Sequence, residues 1–115
     1  MTVYEAINRC EGVCVTDDSD QLYQWLSEIE ARVRLELFGK DSDSITVMDG
    51  DRMLTAPDAY AEIYPLYITM KREQACADAE RYAFFQSCFI AAYDLLSAYV
   101  NRTRELGEAI YIKTV

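Results

Sequence analysis

Apolar residues in the first third of the chain recur with a helical period. Val3, Ala6, Ile7 and Cys10 fall at i, i+3, i+4 and i+7, with Glu5, Asn8 and Arg9 on the other side. A short amphipathic helix is therefore expected over about residues 2–11, ended near Gly12. Asp17, Asp18, Ser19 and Asp20 then offer capping oxygens and negative charge to the start of a second helix. Its stripe is Leu22, Trp25, Leu26, Ile29, Val33 and Leu37, and Gly39 supplies the stop.

Residues 40–56 lose this period. Asp41, Asp43, Asp49 and Asp51 surround the short apolar run Ile45–Met48, and Asp49-Gly50 marks a turn. The pattern predicts an acidic loop or a short β-hairpin arm. A calcium loop opening at Asp41 would need Gly at its sixth position and Glu at its twelfth; Thr46 and Arg52 stand there instead.

From Pro57 the pattern is helical through about residue 105. Pro65 lacks an amide proton and disfavours a helical Tyr64, so a break or kink is expected at 64–65. From Leu66 to Arg104 there is no Gly or Pro, which fits one long helix or two helices joined by a tight bend near 78–82. Ala109-Ile110-Tyr111-Ile112-Lys113 favours β structure, so 106–115 is expected to form an extended tail. That tail could pair with Ile45–Met48 or add as a strand to a neighbouring subunit. The expected fold is mainly α: one domain over 1–115 with four to five helices, a long C-terminal helix or helix pair, and a short hairpin or arm.

The stretch Tyr82–Val100 departs from the ordinary amphipathic helix. Phe85, Phe89, Ala92, Leu96 and Tyr99 repeat at spacings of 4, 3, 4 and 3, and Phe84, Cys88, Ala91, Leu95 and Ala98 repeat one residue earlier. One stripe covers a core; two stripes mean a helix that is apolar on most of its circumference. A chain with two other short helices shelters only part of it, so a second molecule is expected to shelter the rest. The same 19 residues are long enough to span a bilayer, but Gln86, Ser87, Asp94 and Ser97 lie inside them, so no membrane insertion is expected. Tyr60, Tyr64, Tyr67, Tyr82, Tyr93 and Tyr99 add rings with hydroxyl handles, which suits interfaces as well as cores. With Phe84, Phe85, Phe89, Leu95, Leu96 and Arg102, these tyrosines are the candidate interface residues.

Composition narrows the function. Hydrophobic residues at 51% and charged residues at 27% make a globular chain, and a net charge of −9 argues against gripping nucleic acid. Residues 1–51 hold 12 acidic and 4 basic side chains, against 8 and 7 in residues 52–115. The weakly charged second half is the one expected to be buried against something. Cys10, Cys14, Cys76 and Cys88 form no CxxC pair and there is no histidine, so reduced thiols in the cytoplasm are expected, with no metal and no disulfide framework. No basic stretch followed by an apolar run opens the sequence, so no secretory signal is expected, and Asn101-Arg102-Thr103 then carries no glycan. The four glycines form no phosphate-binding turn, and without histidine the usual general base is missing; no catalytic residues and no cofactor are expected.

Several segments together resemble a known family. They are Tyr60, Ile63-Tyr64, Tyr67 and Tyr82, then Phe89-Ile90-Ala91-Ala92-Tyr93 and the closing Tyr99-Val100-Asn101-Arg102-Thr103. The opening Met1–Arg9 and the Trp25-Leu26 pair belong to the same likeness. The pattern resembles the head–tail connector, or neck, proteins of tailed phages and prophages of Gram-positive bacteria. Where that family often has Asn-Asn after a tyrosine, Ala83-Phe84 stands here, and the tail after Thr103 runs longer. The resemblance implies a structural protein assembling as a homo-oligomeric ring between portal and tail proteins. DNA would pass through the ring without specific binding, past acid supplied by Asp17–Asp20 or the Asp41–Asp51 loop. It also implies a cytoplasmic protein of the bacterial host that becomes a virion component. The alternative is a small helical regulatory module presenting the same face to one host or phage protein.

Overall fold

The computed structural model describes residues 1–10, 19–41 and 43–114, with side chains outside Ser19, Val47 and 105–114. Among these residues the chain is mainly helical: α1 Val3–Cys10, α2 Ser19–Phe38, α3 Ile63–Ala75 and α4 Ala79–Thr114. Val3, Ala6, Ile7 and Cys10 of α1 are all buried, as the period requires. So are Leu22, Leu26, Ile29, Val33 and Leu37 of α2, with Trp25 at the margin of the core. Gly12 and Asp17-Asp18 lie outside the described residues. Gly39 adopts φ +64, a left-handed conformation that suits glycine, and the Lys40 N–H reaches back to the Arg34 carbonyl at 2.9 Å.

Of the loop or hairpin arm expected here, the structure has the loop: it holds one 3₁₀ turn, Val47–Asp49, with no strand among the described residues. Its hydrogen bonds are committed elsewhere. Thr46 and Asp49 cap each other across the turn, and buried Ile45 donates its N–H to the Ser27 hydroxyl at 2.8 Å. Beyond the turn, Val3 and Tyr4 donate N–H groups to the carbonyls of Arg52 and Gly50, each at 3.0 Å. Leu54 donates to the Met1 carbonyl, and Thr2 forms an isolated bridge with Met53. The arm is thus folded down onto the start of α1.

The loop's far end is pinned by a buried carboxylate. Glu30 is fully buried and accepts from the Thr55 N–H at 3.1 Å and the Tyr64 hydroxyl at 2.9 Å; the Ala56 N–H donates to the Tyr64 oxygen at 3.0 Å. A carboxylate withdrawn from water is tolerable because these donors replace the lost hydration.

The break expected at 64–65 is absent. Helix α3 begins at Ile63, which puts Pro65 in its first turn, where a missing N–H leaves no hydrogen bond unmade. The long Gly- and Pro-free stretch is two helices, and the bend falls at Cys76–Asp78, just ahead of the expected place. Ala77 takes φ 58 there, while the Asp78 N–H reaches the Glu73 carbonyl at 3.2 Å. Arg81 closes the bend by pairing with Glu73 at 3.1 Å. An alanine pays steric strain in this conformation that glycine does not. Ala77→Gly should therefore raise unfolding stability by about 0.5–1 kcal/mol after glycine's extra chain entropy is deducted. A lower melting temperature for this variant would contradict the strain argument.

The extended tail is also corrected: α4 continues to Thr114. A helix already formed propagates at one hydrogen bond per residue, which outweighs the β preference of Ile110-Tyr111-Ile112 and the cost of Gly107. Helices α3 and α4 form an antiparallel hairpin, and α3 is the shared neighbour of α1, α2 and α4. The core sits where Ile63, Tyr64 and Ile68 of α3 meet α1, α2 and the inner side of α4.

Candidate functional site: the outer face of the long helix

The two apolar stripes of α4 have opposite fates. Phe89, Tyr93, Leu96 and Val100 are buried, and Tyr82, Phe85, Ala92 and Tyr99 are partly buried against the same core. The Phe89 ring lies 5.3 Å from Tyr67 and 5.7 Å from Tyr93, and Tyr60 stacks near Tyr99 at 4.9 Å. Arg32 of α2 places its guanidinium 4.7 Å above the Tyr93 ring and 5.8 Å from Phe89. These contacts tie α4 to α2 as well as to α3.

The tyrosine hydroxyls are taken up inside the chain. Tyr64 donates to Glu30, Tyr67 to Glu28 at 2.9 Å, and Tyr93 to Glu36 at 2.6 Å, so α2 supplies a carboxylate to each. Burial, and then the Glu28 and Glu30 carboxylates, push the Tyr67 and Tyr64 phenols well above their ordinary value. Burial first, and the Glu36 bond second, push Tyr93 up to about 12; the same bond holds Glu36 below its ordinary value of 4.5.

A pH dependence follows. A phenol whose folded value is raised contributes fully below pH 10 and loses that contribution between about 10 and about 12, because the unfolded chain gives up its proton first. Glu36 acts in the opposite sense: its contribution is complete above 4.5 and is lost as pH falls through the depressed value. Melting temperature should fall on both sides of this window, and Tyr93→Phe should shrink the alkaline fall. A melting temperature unchanged from pH 9 to 12 would refute the assignment.

The second stripe has no such partners. Phe84 is 63% exposed and Leu95 64%, with Ala91 and Ala98 exposed on the same line and Cys88 partly buried; Ile90, off this line, is 50% exposed. Phe84 touches its neighbour Phe85 edge-on at 5.2 Å, and its outward side is bare. Gln86, Ser87, Asp94, Ser97 and Asn101 form a polar wall along one edge of this face. From Ala79 to Arg104 the helix is long and apolar enough to cross a membrane by length and composition, with 22% of its most apolar window buried. Its inner side is packed on α3 and α2, so the unsheltered part is the outer stripe alone.

Of the candidate interface residues, Phe84, Leu95 and Arg102 stand on the free surface. Tyr64, Phe89, Tyr93 and Leu96 are core residues of this chain; Tyr60, Tyr67, Tyr82, Phe85 and Tyr99 line its edge. The tyrosines suited interfaces and cores alike by residue type, and Tyr64, Tyr67 and Tyr93 find their hydroxyl partners on α2 within the chain. Ile90, which belongs to neither stripe, is also exposed. The sequence reading passed over a second exposed apolar group, with Met48 90% exposed and Tyr4 and Met53 both more than half exposed. An apolar run of four residues flanked by aspartates, with no helical period to bury all of it, was the available sign.

Comparison of the chain with protein-family models, with curated proteins and with solved structures found no match.

Proposed function

We propose that this chain is a structural assembly protein that works by packing and shape and performs no chemistry. It assembles with copies of itself into a ring joining portal and tail proteins in a tailed phage or prophage, as the resemblance to head–tail connectors implies. The observation that carries the reading is the outer stripe of α4: Phe84 and Leu95 are each more than 60% exposed, with exposed Ala91 and Ala98 beside them, on one helix whose other side forms the core. Contiguous apolar surface rimmed by polar residues marks an interaction site. The sequence motifs Phe89–Tyr93 and Tyr99–Thr103 supply the family likeness.

The acidic first half agrees with passage of DNA without adhesion, since like charge keeps phosphate from binding. Asp94 and the polar wall on the outer half of α4 favour a protein partner over lipid, because a charge and several polar side chains are costly in hydrocarbon. The protein would be made in the host cytoplasm and end in the virion.

Light scattering and negative-stain imaging of the purified chain, alone and with portal protein, test the reading. Rings or concentration-dependent oligomers, with or without a portal template, are the expected result. A chain that stays monomeric at millimolar concentration and has no affinity for portal or tail proteins would overturn it.

A further inference from the structure

Residues 43–53 place a second apolar surface on a different side of the molecule. Met48 stands 90% exposed at the head of the 3₁₀ turn, and the backbone bonds of residues 50–54 to Met1, Val3 and Tyr4 bring Tyr4 and Met53 to the same corner. The Thr46–Asp49 cap and the buried Ile45 on Ser27 hold the turn in one conformation. The projecting methionine therefore needs little ordering before it binds. Its rim is acidic: Asp41, Asp43 and Asp51 are exposed, and Asp49 belongs to the turn itself.

We infer that this turn is the partner surface of the α4 outer stripe, so that Met48 and its neighbours on one copy of the chain seat against Phe84, Ala91 and Leu95 of the next. The inference rests on the proposed self-assembly and specifies its geometry. Three observations favour the turn of one copy on the stripe of the next over either surface meeting its own counterpart.

The first is position: the turn hangs on α1, the stripe points away from α3, and α3 lies between the helices bearing them. A contact from one side of a molecule to the other side of the next is heterologous and gives rings or filaments, whereas α4 against α4 gives a closed pair. The second is charge. Two turns pressed together would set aspartates against aspartates, while the outer stripe carries little charge and its line runs on into exposed Arg102. The third is that both surfaces are apolar and bare, and one contact covers both.

Met48→Asp and Leu95→Asp, measured separately and as an equimolar mixture by light scattering, provide the test; far-UV circular dichroism checks that each stays folded. Each variant alone should self-associate at least tenfold more weakly than the wild type. The mixture should form a one-to-one heterodimer and nothing larger, because it holds one intact turn and one intact stripe that can meet. Wild-type association should also weaken as salt rises, as acid-to-Arg102 complementarity requires. If Met48→Asp assembles like the wild type while Leu95→Asp does not, the turn is not the partner and α4 meets something else. If the mixture yields no heterodimer although the wild type assembles, the pairing is overturned. A wild-type chain that is monomeric under every condition overturns both this pairing and the reading beneath it.

Discussion

Replacing Phe89 with alanine should lower the unfolding free energy by about 3–5 kcal/mol. The ring is buried, lies within 6 Å of the Tyr67 and Tyr93 centroids and of the Arg32 guanidinium, and sits where α4 meets α3 and α2. Truncation removes the transfer energy of the ring and leaves a cavity that three separate helices would have to collapse together to fill. Natural domains carry about 5–15 kcal/mol in all, so this one change consumes a large share and can leave a population of unfolded chain at ordinary temperature. Urea titration followed by circular dichroism measures it. A loss below about 1 kcal/mol would mean that α4 does not pack through this side, and the division of its two stripes into inner and outer would fail with it.

Six residues along the same helix, Leu95→Asp should do the reverse. The side chain is 64% exposed and makes no core contact, so the monomer should lose no more than about 1 kcal/mol, chiefly through aspartate's poorer helix propensity. Assembly should fall at least tenfold, which corresponds to about 1.4 kcal/mol, because an unpaired carboxylate would be carried into an apolar contact. Leu95→Ala should weaken assembly less, since it removes area without burying charge. Sedimentation velocity over a concentration series reads the effect directly. Equal assembly of wild type and Leu95→Asp would show that the outer stripe is not an interface. Together the two substitutions separate folding from association on one helix, since each should leave the other property nearly untouched.

Much of the fold was legible along the chain because it depends on local period. The burial of Val3, Ala6, Ile7 and Cys10, and of the α2 stripe from Leu22 to Leu37, follows from 3.6 residues per turn and nothing else. The stop at Gly39 follows from the left-handed conformation available to glycine. That residues 82–100 are apolar on two sides was equally plain from spacing. The bend was less so: Ala77 occupies a conformation its residue type does not announce, and packing of α3 on α4 holds it there. Pro65 and the C-terminal residues misled for a related reason. Proline's effect depends on whether it meets a helix in its first turn or later, and β preference yields to a helix already running.

The chain's own order of residues determined a mainly helical fold, the apolar stripes of its first two helices, and an excess of greasy surface on residues 82–100. Only the tertiary structure decided which stripe of α4 faces α3, that the tyrosine hydroxyls spend themselves on Glu28, Glu30 and Glu36, and that Met48 stands outward beside the start of α1. The physical reason is one of range. Period and propensity act between residues a turn apart, whereas the choice of inner face depends on which side of α4 can meet aromatic partners on α3 and acidic partners on α2, many turns away along the chain.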